Sequence, residues 1–393
     1  MPYRGEPYRG EIGGPITGLS ALAVLSIVLY HYNTGVPGGF VGIDVAFVIA
    51  GFLIASSIRS AIEAGSFSFL SFYERGVRRL LPALFVMLAV VLLASYLLQQ
   101  PADFRHTAMS GAFAALSAGN VFFFLDSPYF NPHTAELPLL HTWPLAVVAQ
   151  TFIALPLMIV AMRKAPPWLI LAAIAALAAL SFVFSNWYLG KSQTGGFYLM
   201  PSRVWELLAG SMLAYAPRLK LSPVIAGAIG VGGIAMILFA VATYNASMFY
   251  PGKKALLPVI GAMAVIYSSS SGGIAAKALA WKPVAFVGEI SFSWFLWHWP
   301  LIAFYKYLGL NDGALTPKLL LMAVSFALAV ASWRFVERPL RQPNPDGAPF
   351  GAVLIGICAS IAIADAFGFA ALTHVLPSRP DGAVIALHRP GAN

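Results

Sequence analysis

The stretch LSPVIAGAIGVGGIAMILFAVATYNASM, residues 221–248, contains no charged side chain. A helix needs roughly 20 apolar residues to cross about 30 Å of hydrocarbon, and this run is long enough. It has company: residues 80–100, 255–275 and 350–363 also lack Asp, Glu, Lys and Arg. Of the 393 residues, 59% are hydrophobic and 10% charged, with mean hydropathy +0.78. Soluble domains carry about 25% charged residues. The chain therefore reads as an all-α, polytopic membrane bundle rather than a string of soluble domains.

Working outward, hydropathy marks twelve segments: 16–32, 40–58, 80–98, 107–125, 141–161, 168–187, 197–215, 223–243, 256–270, 285–306, 318–335 and 350–372. The basic residues test that count, because Lys and Arg collect in cytoplasmic loops. With Arg4 and Arg9 inside, Arg59, Arg75, Arg78 and Arg79 also fall inside. If all twelve segments crossed, Arg163–Lys164, Arg218 with Lys220, Lys277 with Lys282, and Arg334, Arg338 and Arg341 would lie outside. Removing 107–125, which Ser110, Gly111, Ser117, Gly119 and Asn120 dilute, returns them all to the inside. The expectation is about eleven spans, with 107–125 re-entrant or peripheral. The N-terminus is then cytoplasmic, and the Pro- and Gly-rich tail 373–393 is an extracytoplasmic linker. The polar residues 1–15 lead into a first span rather than a cleaved leader.

Net charge is +9, from 24 basic and 15 acidic residues. In a membrane chain this excess fits cytoplasmic loops and anionic headgroups, or a basic cofactor site, rather than nucleic acid. One cysteine, Cys358, excludes an internal disulfide and a cysteine metal cluster, and no metal is expected. Cys358 itself reads as a small core residue. No repeat of fixed period and no matched pair of broken helices is visible.

Ionisable groups inside membrane segments are costly and point to function by default. They are His31, Asp44, His141, Arg203, Glu206, Glu289 and His298, with Arg75, Arg78 and Arg79 at the cytoplasmic interface. Each also has a plainer reading. His31 can be an interfacial histidine, and Asp44, after the turn PGGFVG, can cap the second helix. Arg203 and Glu206, three apart, can be a structural ion pair. His141 can cap its segment, His298 can be packed in the core, and Glu289 can be interfacial. The arginines can anchor topology.

Eight stretches in order resemble the membrane acyltransferase family called acyltransferase 3, which includes O-acetylases of bacterial surface polysaccharides. They are YRGEI, VLYH, PGGFVGIDVAFVIAGFLI, FSFLSFYERGVRRLLPAL, SPYFNPHTAELPLLHTWPLAV, PSRVWELLAG, VGEISFSWFLWHWPL and RFVERPLR. The resemblance implies an acyltransferase membrane domain over residues 1–341 with ten core helices. An additional helix follows at 350–372, of the kind that leads to a periplasmic SGNH-type domain in some members. It also implies transfer of an acyl group, expected to be acetyl, from cytoplasmic acyl-CoA to a hydroxyl of an extracytoplasmic glycan at a bacterial inner membrane.

His31 and Asp44 are the catalytic candidates, His31 as general base because imidazole titrates near neutral pH. Arg75 and Arg78 match the family's RxxR pair. With Arg79 they are expected to hold the CoA phosphates, which guanidinium groups bind well. His141, Trp143, Arg203, Glu206 and His298 are the substrate-binding candidates. Ser20 to His31 spans roughly 16 Å of helix, so the base is expected well away from the cytoplasmic phosphate site.

The chain departs from the family pattern in charged places. Ser20 stands where an arginine is usual, Thr17 where an aspartate is, and Val148–Ala149 where two glutamates are. Losing opposite charges together keeps the membrane balance. A missing orienting group nonetheless costs rate. Two alternatives therefore stand beside the enzyme: an altered member with little activity that keeps the fold and CoA binding, and a transporter-like membrane protein.

Overall fold

The computed structural model describes residues 13–126, 132–310, 313–341 and 349–372. The tail 373–393 and the arginines Arg4 and Arg9 lie outside the described residues. Among the described residues there is no strand. The helices are α1 (Gly13–His31), α2 (Gly42–Glu63), α3 (Phe69–Leu98), α4 (Pro101–Ala115), α5 (Gly119–Asp126), α6 (Trp143–Ala161), α7 (Pro167–Leu189), α8 (Gln193–Tyr198) and α9 (Met200–Tyr215). They continue with α10 (Pro223–Thr243), α11 (Leu256–Ser269), α12 (Ile274–Leu279), α13 (Lys282–Glu289), α14 (Ser291–Tyr307), α15 (Leu315–Ser332), α16 (Arg338–Leu340) and α17 (Pro349–Leu372).

Among the described residues, seven helical stretches are long and apolar enough to cross a membrane: Gly14–His31, Gly39–Glu63, Phe69–Leu98, Leu140–Ala161, Pro167–Leu189, Pro223–Thr243 and Leu315–Leu340. The other four of the eleven expected segments are helical but shorter or interrupted. Segment 197–215 divides into α8 and α9, with Pro201 in the first turn of α9, where a residue without an N–H is tolerated. Segment 285–306 divides at Ile290 into α13 and α14. Segment 256–270 is the 14-residue α11. Within α17 the apolar stretch is Leu354–Phe369.

The chain forms two compact units, Met1–Phe69 with Val147–Phe292 and Leu70–Ala146 with Ser293–Asn393. In the first, Leu19, Ala23, Val45, Val48, Phe52, Trp205, Ile237 and Val259 share one buried core. Glycines set how closely its helices approach. A Cβ on Gly39 would lie 2.0 Å from the Ser26 carbonyl, and one on Gly42 2.3 Å from that of Ala23, so PGGFVG holds the start of α2 against α1. A Cβ on Gly51 would lie 1.8 Å from the Leu207 carbonyl, and one on Gly210 1.9 Å from that of Val48. Such small-residue contacts let helix backbones touch in a membrane.

The partners along α2 and α9 rise together in number: Asp44 with Arg203, Gly51 with Ser211, Arg59 with Ala214. The two helices therefore run parallel, and an odd number of crossings separates them. By length and apolarity α3, α6 and α7 supply three; a fourth in 107–125 would reverse α9. That segment is broken into α4 and α5 at Ser117, whose φ is +57°. It adds no crossing, in agreement with the placement of the basic loops.

In the second unit α4 packs against α17, where a Cβ on Gly111 would meet the Phe367 ring at 2.1 Å. Cys358, expected in the core, is exposed on α17. Gly356 is buried, and a residue two further on points roughly to the opposite side of a 3.6-residue helix.

Candidate active site

Helix α1 ends in a Schellman motif: Thr34 N–H donates to the Leu29 carbonyl at 3.2 Å and Asn33 N–H to that of Tyr30 at 3.0 Å. Asn33 takes the left-handed conformation the motif requires, with φ +57°. His31 is thereby fixed as the last helical residue, half-buried, at the end where the helix dipole favours a cation. Its ring lies 5.2 Å from that of Tyr30, and the chain of rings continues from Tyr30 to Phe40 (5.3 Å) and from Phe40 to Tyr250 (4.8 Å).

The Tyr250 hydroxyl donates to Asp44 Oδ2. Desolvation, reinforced by the Asp44 carboxylate, pushes that phenol well above its ordinary value, so Tyr250 keeps its proton. Asp44 does not cap α2. The N-cap is Val41, without a side-chain bond, and Asp44 sits three residues further on, fully buried. Its other oxygen accepts from Arg203 Nη2 at 3.0 Å, while Arg203 Nη1 lies 3.1 Å from Glu206 Oε1. Arg203 also lies between the rings of Phe47 and Phe197, 5.5 and 5.8 Å from their centroids. All three charged side chains are 1% exposed or less. Ser181 of α7 opens this turn of α9: its hydroxyl donates to the Pro201 carbonyl and accepts from Trp205 N–H, two groups that an undisturbed helix pairs with each other.

His141, His298 and Trp143 are buried in or beside the second unit's polar centre. Pro300, inside α14, has no N–H to offer the Leu296 carbonyl four residues back. His141 Nε2 supplies that bond at 3.0 Å. His298 Nδ1 donates to the Phe295 carbonyl at 2.7 Å, and the two imidazoles lie 5.9 Å apart. Trp299 Nε1 donates to the Leu137 carbonyl. Trp143 opens α6, with Pro144 behind it and Val148 and Ala149 half-buried one turn on.

On α3, Arg75, Arg78 and Arg79 are spaced to share one helix face. Arg78 pairs with the buried Glu74 at 2.8 Å, whereas Arg75 pairs with no acid among the described residues. Glu289 is exposed at the end of α13, as an interfacial acid would be. Ser20 donates to the Ile16 carbonyl of its own helix at 3.2 Å.

Sequence reasoning passed over three groups. Tyr250 was signalled only by the turn YPGKK, Glu74 only by its place one residue before Arg75. Glu337, inside RFVERPLR, is buried in a π-helical turn, where it accepts from Ser293 at 2.8 Å and Arg341 at 2.5 Å. Inserted turns of that kind often mark function.

A family model described as an acyltransferase domain matches residues 16–367, and the chain belongs to the acyltransferase 3 family. Among its relatives are the peptidoglycan O-acetyltransferase OatA of Listeria monocytogenes, 29% identical over 83% of this chain and 55% of its own length, and the O-acetyltransferase OatA of Staphylococcus aureus, 28% identical over 83% and 57%. The membrane-bound transacylase BcsY of Komagataeibacter xylinus is 30% identical over 88% of this chain and 90% of its own. The chain spans just over half the length of the OatA relatives. No solved structure matches it significantly.

Proposed function

We propose that the protein is an inner-membrane O-acetyltransferase that moves an acetyl group from acetyl-CoA, bound on the cytoplasmic side, to a glycan hydroxyl on the extracytoplasmic side. The observation that carries the reading is the end of α1. His31 is held there by a helix cap, half-open to the surface, and joined through Tyr30, Phe40 and Tyr250 to the buried Asp44–Arg203–Glu206 set. His31 takes the proton of the acceptor hydroxyl, the oxygen attacks the thioester carbonyl, and the CoA thiolate leaves and regains a proton. Asp44, already engaged by Arg203 and Tyr250, positions the start of α2 and so the face that His31 meets. On α3, Arg75, which pairs with no acid among the described residues, is the leading phosphate ligand, with Arg78 and Arg79 beside it.

Acetyl-CoA turnover by purified protein should fall at least about a hundredfold in His31→Ala, with folding kept. CoA affinity should weaken more in Arg75→Ala than in Arg78→Ala, because Arg78 is already held by Glu74. Unchanged affinity in the double variant would sink the phosphate assignment.

A second reading has an observation of its own. Ser20 satisfies its hydroxyl within α1, and Val148 and Ala149 present only apolar groups, so the charges usual at these positions have no substitute there. No turnover of any acyl-CoA by wild type would favour an altered member that keeps the fold.

A further inference from the structure

The His31 end of the first unit is built from three connections, residues 32–41, 189–199 with the short α8, and 244–255. They are held together: Gly38 N–H donates to the Val241 carbonyl at 2.9 Å, Tyr250 donates to Asp44, and the turn at Gly252 packs on the end of α7. A Cβ on Gly252 would lie 3.1 Å from Leu189 and 3.3 Å from Asn186. These connections carry Lys191, Lys253 and Lys254, all exposed, and not one Asp or Glu. None of the three lysines pairs with an acid among the described residues; the Lys191 ammonium lies 4.1 Å over the Trp187 ring. The nearby acids Asp44 and Glu206 are buried and held by Arg203, so neither offsets the charge at the surface.

Under the orientation proposed above, this is the extracytoplasmic end, where the positive-inside bias disfavours Lys and Arg. Three lysines at the same end as the candidate base, paired with no acid among the described residues, run against that bias. We infer that this face binds a polyanionic glycan acceptor, its carboxylates or phosphates against Lys191, Lys253 and Lys254, and presents a neighbouring hydroxyl to His31. The inference rests on the proposed orientation and reaction, and it names the acceptor's charge class. A neutral glycan gains nothing from such a field, whereas a polyanion is concentrated by it in a salt-dependent way.

The full chain in nanodiscs of uncharged phosphatidylcholine should bind an oligogalacturonate roughly tenfold more tightly than its neutral methyl ester, and added salt should erase the difference. The triple variant Lys191→Gln, Lys253→Gln, Lys254→Gln should lose roughly that factor, and the triple Lys→Arg variant should keep it. Acetyl-CoA hydrolysis without acceptor should be unchanged in both, since the lysines are exposed and outside the catalytic set. Equal binding of the two oligosaccharides, or no response to the Gln variant, overturns the proposal. So does a Gln variant whose only change is weaker retention of phosphatidylglycerol, which would make the patch a headgroup anchor. Lysine-dependent binding of the oligogalacturonate by a protein that turns over no acyl-CoA would leave this surface standing and remove the acyltransferase reading instead.

Discussion

The two units solve the problem of buried polarity by different means. In the first, ionisable groups are enclosed together: Asp44 and Glu206 flank Arg203, with Tyr250 as a further donor to Asp44. In the second, the buried acids Glu74 and Glu337 pair with partly exposed arginines, Arg78 and Arg341, and the buried groups around the middle of α14 are imidazole and indole donors that answer carbonyls: His141 to Leu296, His298 to Phe295, Trp299 to Leu137. The first arrangement is stable only as a set, because removing one member strands a charge in a medium that solvates it poorly. The second distributes its cost over single hydrogen bonds, each replaceable. An ion set thus fixes α2 against α9 as one choice, while the histidine centre repairs a helix that Pro300 interrupts.

The largest expected effect that could break this contrast is in the first unit. Arg203→Met should destabilise by about 3–5 kcal/mol, as unpairing buried charges does, read as a fall in the thermal unfolding midpoint in detergent. The triple variant Arg203→Met, Asp44→Asn, Glu206→Gln should recover much of the loss; if it does not, the set is not behaving as one ionic unit. Next is Gly51→Ala, whose methyl would overlap the Leu207 carbonyl. It should cost roughly 1–3 kcal/mol or more through overpacking, and a neutral result would show that α2 and α9 can separate.

In the second unit His141→Ala should cost about 1–3 kcal/mol by leaving the Leu296 carbonyl unanswered. Restoring an N–H with Pro300→Ala should make the same His141 change cheaper, and additivity of the two would refute the repair role. The smallest effect on stability is expected for His31→Ala, within about 0.5 kcal/mol, despite the loss of turnover. A large drop in unfolding temperature there would turn His31 into a structural residue.

Much of the architecture was legible because membrane helices announce themselves by length and apolarity. The basic residues even gave the parity: the loops around Arg163, Arg218 and Lys277 required 107–125 not to cross, and the parallel run of α2 and α9 agrees. The breaks at Ile290 and between α8 and α9 were not visible, since each whole segment averages as apolar despite Glu289 beside the one and Pro201 beside the other. The plainer reading of Asp44, as a cap, fails for a related reason. A carboxylate just after a glycine turn has the local signature of one, and its partner is 159 residues away. Among the candidate site residues, His31, Arg203, Glu206, His141 and His298 stood out because a polar group in hydrocarbon is rare. Tyr250 did not, because a tyrosine near a membrane interface is ordinary.

The sequence by itself determined that the chain crosses a membrane as helices, where the basic loops fall, and that His31 ends α1, since Asn33 and the residues around it carry the cap locally. It also placed the glycines that permit close helix contact. Only the tertiary structure decided what those contacts bring together. Asp44 meets Arg203 because Gly51 and Gly210 let α2 and α9 touch, and His141 reaches the one carbonyl that Pro300 leaves open. Local patterning specifies elements through backbone preference and solvent. The pairing of groups more than 150 residues apart depends on which helices lie side by side, and no local pattern encodes that.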